Sequence, residues 1–126
     1  MSTPMIPVSW GELLDKITIL AIKVDRLRSV GARANAQREL ALLRAAAAGS
    51  GRQVAELEAA LLAVNMRLWR IEDLIREKEA AADFGPEFVA LARSVYREND
   101  ERGRIKAAIN RALGSVLVEE KQYAEY

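Results

Sequence analysis

Seven apolar residues in one stretch, Val54, Leu57, Leu61, Val64, Leu68, Ile71 and Ile75, recur three and four positions apart without a miss. Only an α-helix turns that spacing into one continuous face. The pattern predicts a helix from Val54 to Ala82, roughly 43 Å long at 1.5 Å per residue. Asp83-Phe84-Gly85 then supplies a turn, and Pro86 suits the first position of a following helix, where its missing N–H costs nothing. That helix should reach Leu113, with Gly114 as its stop. Two long helices joined by three residues must fold back as an antiparallel hairpin. The hairpin leaves an apolar groove that the rest of the chain has to cover.

Upstream, Ser9-Trp10-Gly11-Glu12 has the form of a capping box, in which the Ser9 hydroxyl and the Glu12 carboxylate satisfy each other's orphan amides. It opens a helix expected from Trp10 to Arg28. Leu13, Ile17, Leu20, Val24 and Leu27 make its buried face, and Leu14, Ala21 and Ile22 widen it. Gly31 breaks the pattern, and a second helix from Arg33 to Ala48 carries Leu40, Leu43 and a run of alanines. Gly49-Ser50-Gly51 follows as the expected mobile connection. Helices 1 and 2 are expected to cover the hairpin groove together. Beyond Gly114, Val116-Leu117-Val118 and Glu119-Glu120-Lys121-Gln122-Tyr123 read as a tail that packs back through Leu117 or Tyr123. The expectation is an all-α fold, a single helical domain over residues 1–126 with about four helices built on the long hairpin.

Composition narrows the chemistry. Neither Cys nor His occurs, which removes disulfides, thiol nucleophiles, imidazole bases and the usual zinc, haem and iron–sulfur ligand sets. Any acid–base work falls to Asp, Glu, Lys or Tyr. With 19 Lys+Arg against 18 Asp+Glu the net charge is +1, too weak a field to hold a phosphate backbone, so no nucleic-acid partner is expected. Met1 to Val8 carry neither a basic n-region nor an apolar h-region. The strongest apolar run, Ile17 to Ile22, is fenced by Lys16 and Lys23. Neither secretion nor a membrane span is expected, and the lack of Cys fits the cytoplasm.

The informative anomaly lies in the last helix. Its apolar stripe of Phe88, Ala92 and Val95 continues as Asn99, Arg102 and Lys106 before recovering at Ile109 and Leu113. Beside the heptad seam of the preceding helix, Asn65, Trp69, Glu72, Arg76 and Glu79 form a second stripe. A pivot near Phe84 sets Trp69 opposite Asn99 and Glu72 opposite Tyr96, with Glu72 in reach of Asn99 and Arg102. Helix 1 adds Glu12, Asp15, Lys16 and Lys23. Three readings fit this constellation. It is a structural polar layer that fixes helix register, or a pocket for a small anionic or sugar-like ligand with Lys16, Arg76, Arg102 or Lys106 as counter-charges, or a solvated face. Carboxylate pairs such as Glu12 with Asp15, Glu72 with Asp73, and Glu98 with Glu101 have a spacing that can hold Mg²⁺, but so does almost any charged helix. No metal or cofactor is expected.

Four stretches, Pro7 to Leu20, Leu68 to Glu79, Asp83 to Arg102, and Gly114-Ser115 with Glu119 to Tyr123, together resemble a family of small bacterial proteins catalogued as a domain of unknown function. The resemblance covers most of the chain except the segment around Ala45 to Arg52. It implies an association with cell-surface polysaccharide glycosyltransferases and no defined activity. It also implies polar positions at Glu12, Asp15, Lys16, Lys23, Glu72, Asp73, Arg76, Asn99, Asp100, Arg102 and Lys106. At Ala21, where relatives often carry an acidic residue, any such ion pair is absent here. The function expected is a binding or partner module, taking a small anionic or sugar-like ligand or a glycosyltransferase partner. A Mg²⁺-dependent hydrolase of a nucleotide or sugar nucleotide, using Glu72 and Asp73, is one alternative. A self-assembling structural protein is another. Because helices 1 and 2 are short beside the hairpin, a homodimer is expected as well.

Overall fold

The computed structural model describes residues 2–50 and 54–126. They form four helices: α1 (Trp10–Arg26), α2 (Val30–Ala47), α3 (Ala55–Ala80) and α4 (Pro86–Leu113), with a single 3-10 turn at Ala48–Ser50 between α2 and α3. No strand occurs among the described residues. Gly51, part of the expected mobile connection, lies outside them.

The hairpin of α3 and α4 forms as the heptad spacing requires. Two cross-hairpin ion pairs, Arg67 with Glu98 at 3.0 Å and Lys78 with Glu87 at 2.7 Å, hold its register within a turn of the one expected for a pivot near Phe84. At the turn, the Phe84 and Phe88 rings meet edge to face at 5.2 Å. The core itself sits at the other end of the hairpin. Leu13, Leu14 and Ile17 of α1 pack on Leu61 and Val64 of α3 and on Ile105 and Ile109 of α4. Leu68, Ile71 and Ile75 continue the seam but are only half-buried. The reason is length: by rise per residue α1 is about 26 Å long, against about 39 and 42 Å for α3 and α4.

The cover of the groove differs from expectation. α1 alone lies in it and touches the other three helices, whereas α2 packs chiefly on α1 and reaches the core through Leu40, Leu43 and Ala47. α2 also starts earlier than Arg33, because the Ser29 hydroxyl caps it by accepting from the Ala32 N–H at 3.2 Å; that cap outweighs the helix-breaking tendency of Gly31 in the first turn. α1 stops at Arg26, since Leu27 is extended.

α3 ends at Ala80 and not at Ala82, in the same motif that ends α4. The Asp83 N–H donates to the Lys78 carbonyl at 2.9 Å and the Ala82 N–H to that of Glu79 at 3.0 Å; at α4 the pairs are Ser115 to Asn110 at 2.8 Å and Gly114 to Arg111 at 3.3 Å. Both are Schellman closures, which need a left-handed residue at the turn. Gly114 supplies it at φ 63°, but in α3 the residue is Ala82 at φ 52°, where a Cβ crowds the following carbonyl. Ala82→Gly is therefore expected to raise unfolding stability by about 1 kcal/mol and Gly114→Ala to lower it by about as much. Urea titration of both variants checks this, and equal responses at the two sites would refute it.

Candidate functional site

Where α1 crosses the hairpin, the core changes from apolar to charged. Asp15 is fully buried on the inner face of α1, in the same turn as Leu14 and Ile17. A bare carboxylate there would be prohibitively costly, and it is not bare. Arg102 of α4 grips it with two N–H groups, Nε at 2.9 Å from one oxygen and Nη2 on the other. Asn65 of α3 adds an Nδ2–H at 2.9 Å, and the same amide donates to Thr18 Oγ1 at 2.8 Å. Thr18 in turn donates to the Asp15 backbone carbonyl at 2.8 Å. A fork-on-fork pair with a third donor is the geometry that lets an ion pair survive in a dry site.

One turn along α4 from the half-buried Arg102, Lys106 is a buried cation, its side chain 7% exposed. Nζ donates to Glu12 and to Glu119 at 2.8 Å each and lies 4.0 Å from Asp15. Burial opposes its charge, but the hydrogen bonds it donates to Glu119 and Glu12 and the field of Asp15 outweigh it, so its pKa lies above the ordinary lysine value. Hydrogen bonding to Asp15 likewise raises Arg102, and the Lys106 contact holds Glu119 below the usual carboxylate range. The capping box is thus half-used: the Ser9 hydroxyl accepts from the Glu12 N–H at 3.1 Å, but the Glu12 carboxylate serves Lys106 instead.

The layer closes at the start of α1. The Gly11 N–H donates to Asn110 Oδ1 at 2.7 Å and the Trp10 N–H to Ser115 Oγ at 3.3 Å. Gly11 is what permits this approach, because a Cβ built on it would stand 2.6 Å from the Lys106 carbonyl oxygen and 2.9 Å from Asn110 Oδ1. No buried side-chain N or O among the described residues lacks a partner.

Beside this layer an open groove runs between α1, α3 and α4, about 510 Å³ in volume and floored by Ile19, Ile22 and Leu68; its walls are Asn65, Trp69, Glu72, Asp73, Arg76, Asn99 and Arg102. Arg102 belongs to both features. With Nε and Nη2 taken by Asp15, its Nη1 keeps only a long 3.5 Å hydrogen bond to Asn99 Oδ1. Arg76, 78% exposed, pairs with Glu72 at 3.3 Å one turn away on the same helix, an arrangement worth a few tenths of a kcal/mol.

The structure therefore divides the fourteen candidate residues. Glu12, Asp15, Asn65, Arg102 and Lys106 meet in the layer. Trp69, Glu72, Asp73, Arg76 and Asn99 share the groove with Asn65 and Arg102. The expected pairing of Glu72 with Arg102 does not form, because Asp15 is nearer the guanidinium and drier, and Glu72 turns to Arg76. Tyr96 does not face Glu72 across that groove. With Asp100 it lies on another surface of α4, its ring 4.9 Å from that of Tyr126, whose hydroxyl donates to Asp100. Lys16 is exposed and pairs with Glu39 of α2 at 3.8 Å, and Lys23 lines neither feature. Thr18, Asn110 and Glu119 went unread in the sequence, although Asn110 continues the stripe of Asn99, Arg102 and Lys106 one turn further. The segment after α4 also docks differently than expected: Leu117 and Tyr123 stay exposed, and Glu119 and Tyr126 make the contacts.

Among the described residues no three carboxylates converge where a metal ion could be held, and no helix is long and apolar enough to cross a membrane. No curated protein and no solved structure matches the chain. A family model does, over residues 5–126, nearly the whole length including every residue of the layer and the groove, and the chain accordingly belongs to DUF6165, a family of unknown function.

Proposed function

We propose that the protein is a non-catalytic helical binding module whose groove takes a small anionic or sugar-like ligand, acting in the assembly of bacterial surface polysaccharide beside a glycosyltransferase partner. The observation that carries this reading is the position of Arg102, gripped from behind by a buried carboxylate while it lines an open groove. A guanidinium fixed in this way loses little side-chain entropy on meeting a phosphate or carboxylate. The exposed Arg76 across the groove offers a second cation, and the half-buried Trp69 offers a flat apolar face on which a sugar ring can lie. The choice of sugar phosphates as ligand class rests on the resemblance to proteins associated with glycosyltransferases. A second copy laid over the half-buried distal seam is compatible with the same role.

The chain has two tryptophans, so Trp10→Phe leaves Trp69 as the sole indole reporter. Titration of that variant with glucose 1-phosphate and UDP-glucose, up to about 10 mM, is expected to give a saturable change in emission. Arg76→Ala, at an exposed position, should weaken it about tenfold, the loss of one charge-assisted hydrogen bond. A flat titration overturns the ligand reading. Mg²⁺-dependent turnover of the nucleotide, abolished in Glu72→Gln, transfers the groove to the hydrolase.

A further inference from the structure

The groove of Trp69 presents a fixed hydrogen-bond acceptor as well as cations. Asn65 is only 5% exposed, yet its side chain lines that groove. Its donor side is fully used. One N–H of Nδ2 goes to Asp15 Oδ1 at 2.9 Å and the other to Thr18 Oγ1 at 2.8 Å. Neither bond can run the other way: the Asp15 carboxylate only accepts, and the Thr18 hydroxyl proton is given to the Asp15 backbone carbonyl at 2.8 Å. The amide is therefore locked in one orientation. Its Oδ1 accepts from no side chain among the described residues, and since no buried side-chain oxygen there lacks a partner, Oδ1 is open to the groove.

A guanidinium stands beside this acceptor. Arg102 Nε and Asn65 Nδ2 both lie 2.9 Å from the same oxygen, Asp15 Oδ1, so the two nitrogens are less than about 6 Å apart. On the groove side Arg102 offers Nη1, which keeps only its long bond to Asn99 Oδ1. Hydrogen bonds of about 2.9 Å made by Nη1 and by Asn65 Oδ1 converge on groups carried by neighbouring carbons of one ligand. A bare anion meets half of this pair. It satisfies the guanidinium and leaves the amide oxygen with nothing to accept, and an acceptor left unpaired beneath a bound ligand is costly.

We propose that Asn65 is the specificity-determining residue of this groove: its Oδ1 accepts from a hydroxyl on the carbon next to the one whose phosphate Arg102 holds, so the ligand is a sugar phosphate with that vicinal hydroxyl free. The inference rests on the sugar-phosphate reading of the groove and narrows it. Asp15 and Thr18 are positioning residues here. One buried carboxylate orients the acceptor and the donor together, which fixes the separation that the ligand has to match.

The test titrates the Trp10→Phe protein, with Trp69 as reporter, with glucose 1-phosphate, 2-deoxyglucose 1-phosphate and glucosamine 1-phosphate. Glucose 1-phosphate is expected to bind about tenfold more tightly than the 2-deoxy compound, which lacks the one hydroxyl that Asn65 reads. Adding Asn65→Leu removes the acceptor, and the two sugars should then bind within about twofold of each other. A residue that serves only packing would weaken both alike and leave their ratio unchanged. Should Asn65→Leu fail to fold, Thr18→Val decides: it keeps the amide, removes the hydroxyl that fixes its orientation, and should lower the same ratio. Flat titrations with all three sugars overturn the sugar-phosphate reading and this proposal with it. Saturable binding of glucose 1-phosphate that the 2-deoxy compound equals overturns the proposal alone, as does a ratio that the substitutions leave untouched. Tighter binding of glucosamine 1-phosphate than of glucose 1-phosphate also overturns it, by assigning the acceptor to an ammonium group.

Discussion

Gly11→Ala should destabilise the fold by about 3 kcal/mol. Within helices the same replacement usually stabilises by up to about 1 kcal/mol, so the sign alone is diagnostic. A Cβ at this position would fall 2.6 Å from the Lys106 carbonyl oxygen, a backbone atom that cannot swing away, and 2.9 Å from Asn110 Oδ1. Relief requires α1 to move off α4, which lengthens the Gly11 to Asn110 hydrogen bond and loosens the grip of Lys106 on Glu12. Gly103→Ala in mid-α4 is the control: its Cβ would meet nothing nearer than Lys121 Nζ at 3.9 Å, and a gain of roughly 1 kcal/mol is expected. Urea unfolding of the two variants side by side measures the contrast. If Gly11→Ala proves as stable as the parent, the close crossing of α1 and α4 is wrong.

The second large effect concerns the buried ion pair. Arg102→Leu should cost about 3–5 kcal/mol, because it strands the fully buried Asp15 carboxylate, Asp15→Leu should cost less, since the Arg102 guanidinium is partly open to the groove, and the double replacement, which removes both charges, recovers much of the larger loss. Recovery stays incomplete, since Asn65 and Lys106 also face Asp15. The double-mutant cycle should therefore return a coupling of about 2 kcal/mol or more. Glu72→Leu, which removes only the exposed partner of Arg76, should change stability by no more than about 0.5 kcal/mol. Additive single-mutant effects at Asp15 and Arg102 would show that the two charges do not depend on each other.

That cycle also marks where reading the sequence reached its limit. The hairpin was legible because both its signals are local: three- and four-residue spacing from Val54 to Ile75, and Asp83 to Pro86 as a turn. Its register follows from the pivot, which is why Trp69 and Asn99 were expected at one level and share a groove. The partner of Arg102 was not legible. It depends on the rotation of α1 about its own axis and on the depth at which α1 sits, and both are set by the close crossing at Gly11, a contact between residues some hundred positions apart. With α1 unplaced, the nearest visible anion was Glu72, on the hairpin itself. Ala82 was missed for a different reason, since nothing in an alanine announces a left-handed turn. The seat for Glu119 and Tyr126 depends on a segment with no periodicity to read.

The buried residues of the hairpin are Leu61, Val64 and Asn65 on α3 and Ile105, Lys106, Ile109 and Asn110 on α4; α1 follows the hairpin as far as the groove where its Ile19 and Ile22 meet Leu68, Trp69 and Arg102, and past that groove toward Phe84 the two helices run on beyond the clamp that α1 forms. Fluctuations of the two parts are then governed by different free energies. Opening the clamped end requires releasing the charge layer and the core together, which amounts to global unfolding. Parting the helices near Phe84 breaks only the seam of Leu68, Ile71, Ile75, Phe88 and Val95 and a few exposed ion pairs, a sub-global event. The molecule is in this sense a rigid knuckle carrying a two-helix lever, and amide protection along α3 declines from Val64 toward Ala80 as the lever extends past its support.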